Sequence, residues 1–192
     1  MSFAANLPLF CIVACLVCSV VSSVLNGKAA RYLSMALCAG CCICSCLVLQ
    51  MVLQLGEPVT YIMGHFPHPW GNEIRMGILE SLFSSVFSLV MLLCLMGGKI
   101  RLQLDLAEDK HHFYFVMTDL IQASLLVLCY TNDIFTGYVF IEICTLATCS
   151  LLMIRQLGRT TLAAVRYMIF SLIGSGLFLL GVTILYNITG HL

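Results

Sequence analysis

Residues 134–153 read IFTGYVFIEICTLATCSLLM. A helix of about 20 residues rises about 30 Å, the thickness of a bilayer's hydrocarbon core. This run is apolar enough to cross it, yet it carries Glu142 near its middle. A carboxylate at that depth costs roughly 2.5–3.5 kcal/mol on insertion scales. The run is therefore read as a spanning helix that turns Glu142 towards a protein interior or an ion path.

The rest of the chain has the same character. Of 192 residues, 61% are hydrophobic and 9% charged, with nine basic and nine acidic side chains, and the mean hydropathy is +1.04. Soluble domains carry about 25% charged residues, so the expected class is an all-α membrane protein whose first partner is the lipid bilayer. Zero net charge gives no basis for a nucleic acid or an acidic substrate. The first apolar run lacks the positive n-region of a signal peptide, and five more follow, so it is read as a retained span.

Six transmembrane helices are expected. Residues 1–56 hold two of them, about Phe3 to Leu25 and Tyr32 to Leu55, with the Asn26-Gly27 turn between. Residues 57–73 form an external proline-rich loop within GEPVTYIMGHFPHPWG, with Trp70 as an interfacial anchor. Residues 74–110 give the third span, about Ile74 to Met96, and a charged cytoplasmic link, KIRLQLDLAED, whose alternation suits an extended or interfacial segment. Residues 111–192 supply spans four to six, about His111 to Tyr130, Ile134 to Ile154 and Ala163 to Tyr186. Lys28, Arg31, Lys99, Arg101, Lys110, Arg155, Arg159 and Arg166 fall on one side and only Arg75 on the other. The positive-inside rule then makes the odd-numbered links cytoplasmic and both termini external.

Several cofactor readings fail on spacing. The CAGCCICSC run (38–46) and the Cys11, Cys15, Cys18 face invite a metal or iron–sulfur reading, but no arginine, lysine or aspartate accompanies the second-span thiols. Small side chains allowing close helix packing are the simpler reading. His65 and His68 stand at i, i+3 without further ligands, and His111 and His112 lie at the opposite end. No imidazole pair stands at matching depth for haem. No cofactor is expected in this chain, and no nucleotide loop or nucleophile–base pair suggests catalysis by it alone.

The carboxylates carry the functional reading. Asp119 falls near the centre of the fourth span, with Thr118, Gln122 and Ser124 close in sequence, and Glu142 at similar depth on the next helix. Tyr138, Glu142, Thr145 and Cys149 follow i, i+4, i+7, i+11 spacing, a polar face on the fifth span. If both carboxyls turn inward they come within reach of each other or of shared waters. A carboxyl that exchanges protons inside the membrane serves a proton path; with hydroxyl and amide oxygens nearby, Na+ is the neighbouring possibility. The bland alternative is that each carboxylate pairs with a cation and fixes packing. Arg166 is such a candidate partner, coupled through water because it lies several turns from mid-membrane. Asp133 is placed to cap the fifth helix, and Ser171, Gly174, Ser175 and Gly176 form a small-residue patch for helix contact.

From Tyr130 to Leu192 the run YTNDIFTGYVFIEICTLATCSLLMIRQLGRTTLAAVRYMIFSLIGSGLFLLGVTILYNITGHL resembles the antiporter-like membrane subunits shared by Mrp-type sodium/proton antiporters, respiratory complex I and energy-converting membrane-bound hydrogenases. HFPHPWGNEIR at 65–75 looks like the external loop and third-helix entry of that family. The resemblance implies a role in proton transfer for Glu142, an acidic loop residue at Asp133, a usually basic position at Arg166, and a small-residue patch at Ser171, Gly174 and Ser175. Family members carry about 14 spans, with two inverted repeats of about five helices, and lysines on broken helices that work with the glutamate. The last three spans here resemble the start of the first repeat, and the lysine-bearing helices are absent. The resemblance thus implies other integral membrane subunits as partners, one of them bearing those lysines. Soluble redox subunits, and residence in a prokaryotic cytoplasmic membrane, are implied with them. The expected function is part of a proton or sodium translocating membrane subunit; the alternative is a non-transporting structural subunit or a truncated fragment that stabilises a partner.

Overall fold

The computed structural model describes residues 6–62 and 73–190. His65, His68 and Trp70, and with them the histidine-pair and interfacial-anchor readings, lie outside the described residues. The chain forms α1 (Leu7–Val24), α2 (Gly27–Leu55), β1 (Val59–Ile62), β2 (Glu73–Met76), α3 (Ile78–Gly97), α4 (Lys99–Asp105), a 3-10 turn (Glu108–Lys110), α5 (His111–Tyr130), α6 (Ile134–Met153) and α7 (Gly158–Thr189). Among the described residues six helices, all but α4, are long and apolar enough to cross a membrane. The all-α membrane class expected from composition is the observed one.

What each helix buries explains how they associate. On α2 the buried positions are Ala30, Ser34, Cys38, Cys41, Ser45, Val48 and Val52, spaced by three or four residues throughout. On α3 they are Ser81, Ser84, Ser88 and Leu95, and on α1 they include Cys11, Ile12, Cys15, Ser19 and Ser22. Large apolar side chains such as Phe10, Leu79 and Leu93 point outwards. Lipid is as apolar as leucine, so burying leucine against another helix gains little there, whereas small residues let backbones approach and gain dispersion contact. The cysteines follow this logic: all twelve are free, and Cys15 and Cys41 meet sulfur to sulfur at 3.6 Å between α1 and α2.

These stripes assemble α1, α2, α3 and α5 into one group, with α2 along α3, α1 along α5, and α5 also meeting α2 and α3. Helix α6 packs on α5, and α7 packs mainly on α6. Of α7 only Ala164, Ser175 and Val182 are buried. The turn into α2 requires glycine: a Cβ on Gly27 would stand 2.7 Å from His111 Cβ at the start of α5. At its other end α2 stops on Gly56, whose φ of 71° lets its N–H return to Val52 O at 3.0 Å.

Two local readings need correction. The third span begins at Ile78, not Ile74, because residues 73–76 pair antiparallel with Val59–Ile62 as a two-stranded ribbon. Ile74 and Met76 are buried while Arg75 between them is exposed, a period of two that hydropathy alone merges into the following helix. The ribbon also grips the α5–α6 turn, where Asn132 N–H donates to Glu73 O at 3.0 Å. On the opposite end, KIRLQLDLAED is helical over Lys99–Asp105 rather than extended. Leu102 turns in towards Leu95 and Phe115, while Ile100 and Leu104, one turn apart, remain 71% and 76% exposed. Apolar residues on both faces suit a short helix lying between bundle and membrane surface.

Candidate functional site

Asp119 is fully buried on α5. Its Oδ2 accepts hydrogen bonds from Ser34 Oγ of α2 at 2.9 Å and from Ser22 Oγ of α1 at 3.2 Å. Its Oδ1 has no hydrogen-bond partner among the described residues. The carboxyl group therefore ties three helices together and leaves one oxygen bare. A bare carboxylate oxygen in a dry interior is costly unless a proton or a further donor meets it.

The near neighbours expected for Asp119 do other work. Thr118 Oγ1 donates to Tyr114 O and Ser124 Oγ to Leu120 O, each one turn back on the same helix. Gln122 Nε2 donates to Ser88 Oγ of α3 at 2.9 Å, and its Oε1 is unpartnered. Further along, Ser45 and Ser84 share a hydrogen bond of 2.8 Å between α2 and α3. The buried Tyr130 hydroxyl faces Ser45, Ser81 and Ser84 without closing a hydrogen bond of ordinary geometry, and Ser81 Oγ is also unpartnered. Asp119, Gln122 and Tyr130 lie along one side of α5, over a rise of about 16 Å. The result is a file of buried polar groups between α2, α3 and α5 that begins at Asp119 and reaches the ribbon end of the bundle.

Glu142 stands apart from that file. It is half-buried on α6, and its Oε1 is sheltered with no hydrogen-bond partner among the described residues. No hydrogen bond or ion pair joins Glu142 to Asp119 among the described residues. Of the polar face around it, Thr145 Oγ1 donates to the Glu142 backbone carbonyl at 2.9 Å, so that hydroxyl serves the helix. Tyr138 stacks on Phe178 of α7 with ring centroids 6.2 Å apart. Cys149 Sγ lies 4.0 Å from Ala164 O of α7.

The remaining candidates divide between capping and open surface. Asp133 caps α6, accepting from Phe135 N–H at 3.1 Å, from Thr136 N–H at 3.0 Å and from the Thr136 hydroxyl. Arg166 is exposed and makes no ion pair among the described residues. Ser171 is half-buried, Ser175 Oγ donates back to Leu172 O at 3.0 Å, and Gly174 is exposed with open space where a Cβ would stand. Glu80, in the first turn of α3, pairs with Arg75 Nε at 3.8 Å.

Sequence reasoning missed Ser22 and Ser34, because their relevance depends on which helices meet Asp119. The serine stripe of α3 had a readable signal in the i, i+3, i+7 spacing of Ser81, Ser84 and Ser88.

The architecture is that of a multi-pass, all-α membrane protein with one fully buried and one half-buried carboxyl group on its spanning helices. Residues 131–192, the stretch that contains Glu142, match the family model described as NADH:quinone oxidoreductase/Mrp antiporter, transmembrane. The chain is 34% identical over 146 residues to NADH-quinone oxidoreductase subunit N of Desulforudis audaxviator, covering 76% of this chain and 29% of that protein. It is 30% identical over 148 residues to the antiporter subunit mnhD2 of Staphylococcus aureus, again covering 76% of this chain and 29% of the relative. It thus spans under a third of the length of these curated relatives. The fold matches a subunit of the membrane-bound sulfane sulfur reductase, an archaeal respiratory membrane complex, with a TM-score of 0.86 at 21% identity, over 100% of this chain and 38% of that one. It matches a chain of the Mrp complex from Dietzia sp. DQ12-45-1b with a TM-score of 0.86 at 22% identity, over 100% and 36%.

Proposed function

We propose that this chain is part of a proton- or sodium-translocating membrane subunit, in which Glu142 is a mid-membrane carrier of the ion. The observation that carries the reading is the sheltered, unpartnered Oε1 of Glu142 on α6, inside the segment that matches the antiporter family model. A carboxyl oxygen held without a donor inside a span is expensive as mere packing. It has a use where water or a cation visits it. Asp119, Tyr138, Thr145 and Arg166 are secondary candidates. Of these, Asp119 is the one with a bare buried oxygen.

Relatives of this chain are named as an NADH-quinone oxidoreductase subunit and an antiporter subunit. By extension the chain works with other integral membrane subunits in a prokaryotic cytoplasmic membrane, with lysine-bearing helices approaching Glu142, and with soluble redox subunits if the complex is redox-driven. The open face of α7 around Gly174 is where such a helix has room to dock.

A structural reading applies to Asp119, since two serine hydroxyls from different helices converge on one of its oxygens. The test separates the roles. In the assembled complex, Glu142→Gln stops ion movement with assembly intact if Glu142 carries the ion. Unimpaired transport in that variant overturns the proposal.

A further inference from the structure

A basic concavity lies away from both carboxylates, at the end of the bundle where α1 turns into α2 and α3 into α4. A cavity of about 340 Å³ is lined there by Lys28, Arg31 and Lys99, together with Tyr32, Gln103 and His111. No carboxylate lines it. Of the acidic residues on the adjoining α4 and 3-10 turn, Asp105 is held by Arg155 at 3.1 Å, while Glu108 and Asp109 are exposed. None of the three cations forms an ion pair among the described residues.

Three positive charges drawn from two separate turns around one cavity repel each other unless an anion sits among them. Arginine offers a planar fork suited to phosphate oxygens, and lysine offers point charges that adapt to them. The surroundings select the source of that phosphate. Helices α1, α2, α3 and α5 all reach this end of the bundle, which places the cavity at the level of lipid headgroups. Beside it Tyr32, Ile100 and Leu104 are 73%, 71% and 76% exposed, apolar surface that acyl chains can cover. Basic pockets of this kind between spanning helices suit anionic headgroups.

We propose that this cavity binds the phosphate of an anionic phospholipid, with Lys28, Arg31 and Lys99 as its charge partners and with Ile100 and Leu104 of α4 against the acyl chains. The site is independent of ion translocation through Glu142 and stands or falls separately. It makes α4 a helix held to the bundle partly through lipid.

The full chain, purified in detergent and offered equal amounts of phosphatidylglycerol and phosphatidylcholine, tests this by native mass spectrometry. The expected result is selective retention of phosphatidylglycerol, reduced about tenfold or more by Lys28→Gln with Lys99→Gln and restored by Lys28→Arg with Lys99→Arg. Arg101→Gln removes a cation of α4 that does not line the cavity, and retention is expected to survive it. Equal retention of the two lipids overturns the site. So does a loss in Arg101→Gln as large as in the double variant, which would mark diffuse surface charge. Displacement of the lipid by millimolar inorganic phosphate would assign the cavity to the free anion and overturn the lipid assignment.

Discussion

Ser34 Oγ donates to Asp119 Oδ2 at 2.9 Å across the α2–α5 contact, and the other oxygen of that carboxyl group has no hydrogen-bond partner among the described residues. One half of the group is structural and the other half is available. Asp119→Asn keeps an acceptor for Ser22 and Ser34, so it is expected to fold with little loss. Asp119→Leu strands both hydroxyls and is expected to cost about 1–3 kcal/mol. Unfolding in mixed detergent micelles reads the difference; equal stability of the two variants would contradict the geometry.

The polar file divides into groups that are satisfied and groups that are not. Ser88→Ala removes the acceptor of Gln122 Nε2 and should cost about 0.6–2 kcal/mol, the range of hydrogen bonds between membrane helices. Tyr130→Phe removes a hydroxyl that closes no hydrogen bond among the described residues, so its cost should fall below the roughly 0.5 kcal/mol of even a weak hydrogen bond. A larger loss for Tyr130→Phe than for Ser88→Ala would show that the hydroxyl has a strong partner after all.

Glycines on α7 and at the α1–α2 turn are expected to respond in opposite ways. Gly27→Ala forces His111 aside, since the new Cβ falls 2.7 Å from His111 Cβ, and an overpacking cost of about 1–3 kcal/mol is expected. Gly174→Ala meets open space and should leave the thermal midpoint of the isolated chain unchanged. If a partner helix docks on that face, as proposed, the same variant weakens co-purification of the complex. Co-purification at the wild-type level would place the partner elsewhere.

Asp133→Ala removes three interactions from the start of α6. Its expected cost is about 1 kcal/mol, and hydrogen exchange should rise at the amides of Phe135 and Thr136 first. Asp133→Asn, which can still cap, should lose much less.

The spanning helices were legible because each is a long apolar run bounded by Asn-Gly, Gly or Asp signals, and because lipid demands helix. The ribbon was not, since Glu73–Met76 is a four-residue alternation adjoining an apolar helix. Nor was the helix over Lys99–Asp105, where apolar residues on both faces mimic a strand. Glu142 and Asp119 stood out as charges in apolar runs. What surrounds them did not, because it depends on rotation about helix axes: Asp119 turns to Ser22 and Ser34 rather than to Glu142, and the Thr145 hydroxyl turns to its own backbone. Neighbours in sequence on a helix proved poor guides to partners in space.

Glu142 is proposed to carry an ion rather than to fix a helix. Proton and sodium movement into proteoliposomes holding the assembled complex, compared between wild type and Glu142→Gln, tests it most directly. An ion-carrying role predicts that the variant complex assembles with an unchanged subunit complement and loses ion movement. Assembly with transport at the wild-type rate would contradict it and leave Glu142 a packing residue.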